Sequence, residues 1–170
     1  MLFVFNPGSN ADEFNISAKK ISIDKKDNVV VGQGSVEITD SEGKIITSDT
    51  VKYDKEKEFL TAEGSVKIID KMGNIITSNK ITYNKIKNII ISFKNSELTQ
   101  KDGYKVSSNK ILYNNLTKII SSDQKSILND EEGNIVYVDM FQYHIEKKLF
   151  SSIGEVKVID KKKNKYFFKE

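Results

Sequence analysis

The segments GSVEITDSEGKIITSDTVKYD (Gly34 to Asp54) and GSVKIIDKMGNIITSNKITYN (Gly64 to Asn84) agree at 11 of 21 positions without a gap. They are offset by 30 residues. A further shift by the same step reaches Lys94 to Asn114, which keeps Gly103, Ser108, Asn109, Lys110, Ile111, Tyr113 and Asn114 in register. Gln124 to His144 retains Gly133, Asn134 and Tyr143, and Gly154 opens a fifth copy with GEVKVID. Ile16 to Asp24 reads as the second half of an earlier copy. Self-similarity at this period marks a stack of small supersecondary units.

Within a unit the period is two. Leu60, Ala62, Gly64, Val66 and Ile68 share one face of their segment, while Thr61, Glu63, Ser65 and Lys67 share the other, the pattern of a half-buried strand. The turns Ser41 to Lys44, Lys71 to Asn74 and Glu131 to Asn134 each place glycine where a hairpin requires positive φ. The returning strand is expected to carry Ile75, Ile81 and Tyr83 on one face, and Asn84 to Asn88 then turns toward the next unit. Two antiparallel strands of about ten residues make one unit, so the chain holds roughly nine to eleven. A single hairpin cannot bury its apolar face, and the units must therefore stack.

Composition agrees. Isoleucine and valine number 23 and 12, against 7 leucines and 3 alanines, so residues that suit a pleated surface outnumber good helix formers. The 170 residues, 38% apolar and 30% charged, with one proline, suit one folded domain. No cysteine and a single histidine, His144, exclude a thiol nucleophile, a disulfide framework and a histidine metal cluster. The 27 lysines, unaccompanied by arginine, face 24 acids, a net charge of +3 too evenly mixed for a nucleic-acid stripe.

No apolar run approaches the ~20 residues of a membrane span. The apolar stub Leu2 to Phe5, followed by the small residues Ser9 and Ala11, reads either as the remnant of an export signal over residues 1–11 or as a disordered start. A single domain would then run over residues 12–170.

Two interior files are expected. Val30, Leu60, Ile90, Ile120 and Phe150 are bulky, whereas Gly32, Ala62, Ser92, Ser122 and Ser152 beside them are small. A file of small side chains either lowers the volume of the interior or serves the geometry of bends and bulges.

The recurrence of G-x-V-x-I-x-D, then G-N-I-I-x-S-x-x-I-x-Y-D/N, then A-x-G-x-V resembles the OstA-like β-jellyroll domain of the lipopolysaccharide transport system. The matching segments are Val31 to Asp54, Leu60 to Asn84 and, more weakly, Ser107 to Asn114 and Ile153 to Asp160. The resemblance implies an all-β fold: an elongated, twisted β-jellyroll of stacked antiparallel strands, shaped as a V-like trough. Among the family's members the tight copies from Val31 are most similar to the periplasmic N-terminal domain of LptD, with a stand-alone LptA-type bridge as the close alternative.

It further implies a non-enzymatic periplasmic module, associated with the outer membrane and without cofactor or metal. Its interior would shield lipopolysaccharide acyl chains, and its partners would be other such jellyrolls joined edge to edge and an outer-membrane translocon barrel. The trough lining would be Val36, Ile38, Val51, Tyr53, Leu60, Val66, Ile68, Ile75, Ile81, Tyr83, Ile90, Ile111, Tyr113, Ile120, Phe141, Tyr143, Phe150, Val156 and Val158. For each of these, ordinary core packing is the competing reading, and a structural or adhesive β-stack without cargo is the competing function.

Other polar features read as structural. His144 has no partner base or nucleophile in a matching motif, and Asp130-Glu131-Glu132 lacks the alternating ligands of a calcium loop. Asp40, Asp70 and Asp160 recur at the repeat period, which favours a turn role over an acid pair. Lys161, Lys162, Lys163 and Lys165 read as a solvated run that could also meet lipid phosphates.

Overall fold

The computed structural model describes residues 3–5 and 14–169. Fourteen strands form one sheet: β1 (Phe3–Phe5), β2 (Asn15–Ala18), β3 (Lys20–Asp24), β4 (Val29–Thr39), β5 (Ile45–Asp54), β6 (Phe59–Ile69) and β7 (Ile75–Asn84), followed by the second half. That half comprises β8 (Ile89–Thr99), β9 (Lys105–Asn114), β10 (Ile119–Ser122), β11 (Ser126–Asn129), β12 (Ile135–His144), β13 (Leu149–Ile159) and β14 (Lys165–Phe168). Every pairing is antiparallel, and from β4 to β9 each strand lies beside its sequence neighbour. The strand count exceeds the expected range because two bent strands are split at their corners, giving β2 with β3 and β10 with β11, and because the N-terminal stub adds β1. Ser9 and Ala11 lie outside the described residues, while the backbone of Phe3–Phe5 pairs with Ile16–Ala18.

Each long strand bends at mid-length, and the bend explains how one sheet closes on itself. In β4, β6 and β8 two consecutive residues take left-handed φ: Gly34 and Ser35 (75° and 49°), Gly64 and Ser65 (80° and 47°), Lys94 and Asn95 (64° and 52°). The register then jumps from Gln33 to Val36 opposite Thr50 to Ser48, so two residues on the outgoing strand oppose one on the returning strand. This is a β-bulge, which kinks the strand and frees backbone groups. Serine hydroxyls take up those groups: Ser78 Oγ donates to the Phe93 carbonyl (2.7 Å) and accepts the Phe93 N–H (3.1 Å).

The bend has a consequence for which residues face inward. On outgoing strands the inner face keeps even numbers throughout, as in Leu60, Ala62, Val66 and Ile68. On returning strands it slips by one: Ile76 and Ser78 are buried before the corner, Ile81 and Tyr83 after it. Ile75, expected inside on an unbroken period of two, instead pairs with Ile69 and Thr99 on the outer face.

The inner face of each half makes a wall, and the walls pack face to face. One wall carries Ile16, Ile38, Ile46, Ile68, Ile76, Leu98 and Val106 as consecutive cross-strand neighbours. The other alternates an aliphatic residue with tyrosine: Val30, Tyr53, Leu60, Tyr83, Ile90, Tyr113, Ile120 and Tyr143. Each fully buried aliphatic side chain in such a row contributes about 1.5–3 kcal/mol.

The expected turn role of the recurring aspartates is what the structure shows. Asp70 Oδ1 accepts the N–H groups of Met72 and Asn74 (2.9 Å each), and Asp40, Asp130 and Asp160 repeat the arrangement. At the opposite turns Asp54, Asn84 and Asn114 accept the N–H three residues on. His144 occupies the equivalent place, its Nδ1 accepting the Lys147 N–H (3.4 Å).

These turns carry an acid sensitivity. Hydrogen bonds from Asn164 and the turn amides hold the Asp160 carboxyl below its ordinary pKa; at Asp130 burial opposes the charge, but the Asn134 and turn-amide bonds outweigh it. A lowered folded-state pKa means that the stability is present above the ordinary carboxylate value and is lost as pH falls through the lowered one. Thermal melts should therefore stay level above about pH 5 and decline below about pH 4. The inner-face slip is tested by urea unfolding: Ile76→Ala should cost about 2–4 kcal/mol and Ile75→Thr less than about 1 kcal/mol. The reverse order would overturn the assignment of faces.

Candidate functional site

The walls do not meet equally along the sheet. From β2 to β9 the inner side chains are closed on one another: Val36, Ile38, Val51, Tyr53, Leu60, Val66, Ile81, Tyr83 and Ile111 are at most 4% exposed. Ile68, Ile90, Tyr113 and Ile120 border a void of about 20 Å³, room for about one water. Toward β14 the walls part and leave a cleft of about 450 Å³.

Val106, Leu128, Val136, Val156, Val158 and Phe168 line one side of this cleft, and Ile120, Tyr143, Phe150 and Ser152 the other. Gln100, Lys105, Asp130 and Asn134 supply polar edges. Of the expected lining residues, Ile120, Tyr143, Phe150, Val156 and Val158 thus reach the open cleft. Phe141 is buried and stacks on Phe150 at 6.0 Å between ring centroids, bordering a neighbouring cleft at the corner. The remaining inward candidates fill a packed core, and Ile75 stands outside.

Leu98, Val106, Leu128 and Val136 were not among the expected residues. The thirty-residue step from Ile38 reaches Leu98 and Leu128 on outgoing strands, where the even parity marks them directly, and the step from Ile46 reaches Val106 and Val136, which the slip on returning strands hides.

From β4 to β9 the small-residue file does not hollow the interior, whereas Ser152 lines the open cleft and borders the neighbouring one together with Ser122. Gly32, Val51, Ala62, Ile81, Ser92 and Ile111 are successive cross-strand neighbours, small beside large. A Cβ added at Gly32 would lie 3.0 Å from Val51 Cγ1, so the space is already filled. Ser92 Oγ donates to the Ile111 carbonyl at 3.3 Å, and Ser122 Oγ donates to the Gln124 carbonyl at 3.2 Å.

At the N-terminal end polar and aromatic groups cross between the walls. Phe14 sits edge-on to Tyr53 at 4.9 Å and to Tyr83 at 6.0 Å. Lys44 Nζ pairs with Asp40 Oδ2 at 3.0 Å, donates to Tyr83 Oη at 3.2 Å and lies 4.5 Å from the centre of that ring. Burial works against the Lys44 ammonium, yet Tyr83 and Asp40 outweigh it and hold its pKa above the usual value; burial likewise raises the Tyr83 phenol. Among the described residues no cluster of three or more His, Asp or Glu side chains converges as metal ligands.

At the mouth near β13 and β14 the sheet ends in apolar side chains. β14 pairs with Val156 to Ile159 only, so on that side Leu149 to Ile153 have no partner strand among the described residues. Leu149, Ile153, Phe167 and Phe168 are each more than half exposed. An exposed apolar strand edge is a template for pairing with another chain.

No curated protein matches this sequence. Among solved structures, LptH, the LptA-homologous periplasmic component of the lipopolysaccharide transport device of Pseudomonas aeruginosa, superposes with a TM-score of 0.56 at 22% identity. The match covers 64% of this chain and 80% of that one, and it establishes a shared β-jellyroll fold. The family model described as OstA-like protein matches residues 44–165, most of the repeat array, and the chain belongs to that family.

Proposed function

We propose that this chain is a periplasmic lipopolysaccharide transport module that shelters acyl chains between its two walls. The observation that carries the reading is the cleft of about 450 Å³ beside β13 and β14, walled by aliphatic and aromatic side chains and continuous with an unpaired sheet edge. Each methylene withdrawn from water there is worth ~0.8 kcal/mol, so a modest length of chain is held without any charged contact. Polar groups at the cleft's edges leave a hydrated headgroup outside, and nothing in the passage requires bond making. The module acts as a non-enzymatic path, without cofactor or metal.

The edge at β13 and β14 supplies the junction in this reading. A second jellyroll added there would cover the exposed Leu149 and Ile153 and prolong both walls, so that the interior runs on from one domain into the next. The likeness to LptH supports an LptA-type bridge, while the tight copies from Val31 support the N-terminal domain of LptD placed ahead of an outer-membrane barrel. A dry, structural stack is favoured by a different observation, the closed packing from β2 to β9.

Photo-crosslinking residues placed at Phe150, Tyr143 and Leu60 in intact cells separate transport from the dry stack. Lipopolysaccharide adducts are expected first from Phe150 and Tyr143, which border the open cleft, with fewer from Leu60. Val136→Asp, which puts a carboxylate into the cleft wall, should reduce those adducts at least tenfold while the Lys67→Glu surface change leaves them intact. Adducts to protein alone from every inward site would end the transport reading.

A further inference from the structure

We infer that Phe14 and Lys44 form a clasp that holds the N-terminal stretch of the trough shut, and that releasing it extends the open cleft along the whole sheet. The inference deepens the transport reading, on which its consequence for cargo rests, while the clasp itself stands on contacts within the chain.

Both clasp residues belong to one wall and grip the tyrosine row of the other. Phe14 precedes β2, which pairs with β4 on the isoleucine wall, and its ring reaches Tyr53 and Tyr83. Lys44 lies in the β4–β5 turn, where later copies carry Asn74, Tyr104, Asn134 and Asn164. Those asparagines bond only within their own turns or to the next one, as when Asn74 Nδ2 donates to Asp70 at 2.8 Å and its Oδ1 accepts the Lys101 N–H. Lysine keeps the bond to the turn aspartate and, being longer, also spans the gap to Tyr83. Asparagine is replaced at two of these turns, by Tyr104 beside the open cleft and by Lys44, which bonds across the trough to Tyr83. The walls are closed where these two residues act and part toward β14.

Closure carries a cost that makes it reversible. Lys85 Nζ is buried without a hydrogen-bond partner, 5.5 Å from the centre of the Phe14 ring. A buried ammonium that donates no hydrogen bond opposes the state that buries it, and its cation–π contact with the Phe14 ring offsets only part of that cost. The closed end is therefore poised, with ring contacts and the Lys44 bridge set against the desolvated Lys85.

The absence of cysteine lets two thiols be placed at will. Nitroxide labels at Ser41→Cys and Lys87→Cys report the gap across the clasped end, and labels at Glu131→Cys and Lys147→Cys report the open end. In the otherwise unchanged chain the first pair should give a narrow distance distribution and the second a broad one. Tyr83→Phe, which removes only the hydroxyl that receives Lys44, and Phe14→Ala should each broaden the first distribution toward the second. They should also raise uptake of a fluorescent fatty acid at least threefold. An unchanged first pair in Phe14→Ala/Tyr83→Phe with its β-sheet circular dichroism retained, or a first pair already as broad as the second, overturns the clasp. Broadening without added uptake keeps the clasp and defeats the lipid reading, whereas equal uptake with unchanged distances defeats the clasp and leaves the lipid reading standing.

Discussion

The architecture depends on one constraint: a bent strand must keep its apolar side chains on the inside of the bend. An outgoing strand meets it with two left-handed residues that oppose a single residue on the returning strand. The odd count slips the returning strand by one position, so its two halves obey opposite parities while presenting one continuous inner surface. With the corner fixed at every repeat, cross-strand rows align without further instruction, isoleucines along one wall and tyrosines alternating with aliphatics along the other. The serines at the corners follow from the same constraint, because a bulge leaves backbone groups that a short hydroxyl can satisfy where a larger side chain would not fit.

That slip also sets how much could be read from the residues alone. Period two, the repeat length and the turn glycines and aspartates gave the all-β class, the antiparallel units and the turn role of Asp40, Asp70 and Asp160, since each is a local signal. On the far side of a corner the inner residues Tyr53, Tyr83, Tyr113 and Tyr143 were also legible, because a copied tyrosine announces its row. Counting back by twos through the corner misplaced Ile75 and passed over Ile76, as a one-residue shift transfers a whole run to the other face. Phe14 and Lys44 were invisible for another reason. Their partners are distant in sequence, Lys44 and Tyr83 being 39 residues apart, and no periodicity encodes a contact made across the fold.

The interior also shows why small residues are a poor guide to a lumen. The glycine, alanine and serine file lies beside Val51, Ile81 and Ile111, and the pair of files together fills the space that either alone would leave empty. The volume that does open is walled mostly by large side chains, Phe150, Tyr143 and Phe168 among them, with Ser152 beside them. It lies beside the edge of β13 where, among the described residues, no strand covers Leu149 to Ile153. Openness in this fold is thus a property of edges and cross-wall contacts rather than of the composition of any row.

A protein that offers apolar surface to a ligand must keep that surface from collapsing or from attracting the wrong partner. Here the two ends solve the problem differently. The N-terminal end closes its walls on each other and adds a buried cation, anchored by Asp40 in its own turn and donating across the gap to Tyr83, a contact of specific geometry that apolar packing alone does not supply. The other end leaves Phe167, Phe168, Leu149 and Ile153 exposed at a strand edge, an arrangement that invites pairing with another apolar surface. A sheet with one sealed end and one adhesive end has a direction, and direction is what a stack of near-identical repeats otherwise lacks. Within the repeat the asymmetry is marked chiefly by the lysine at residue 44, where three later copies carry asparagine.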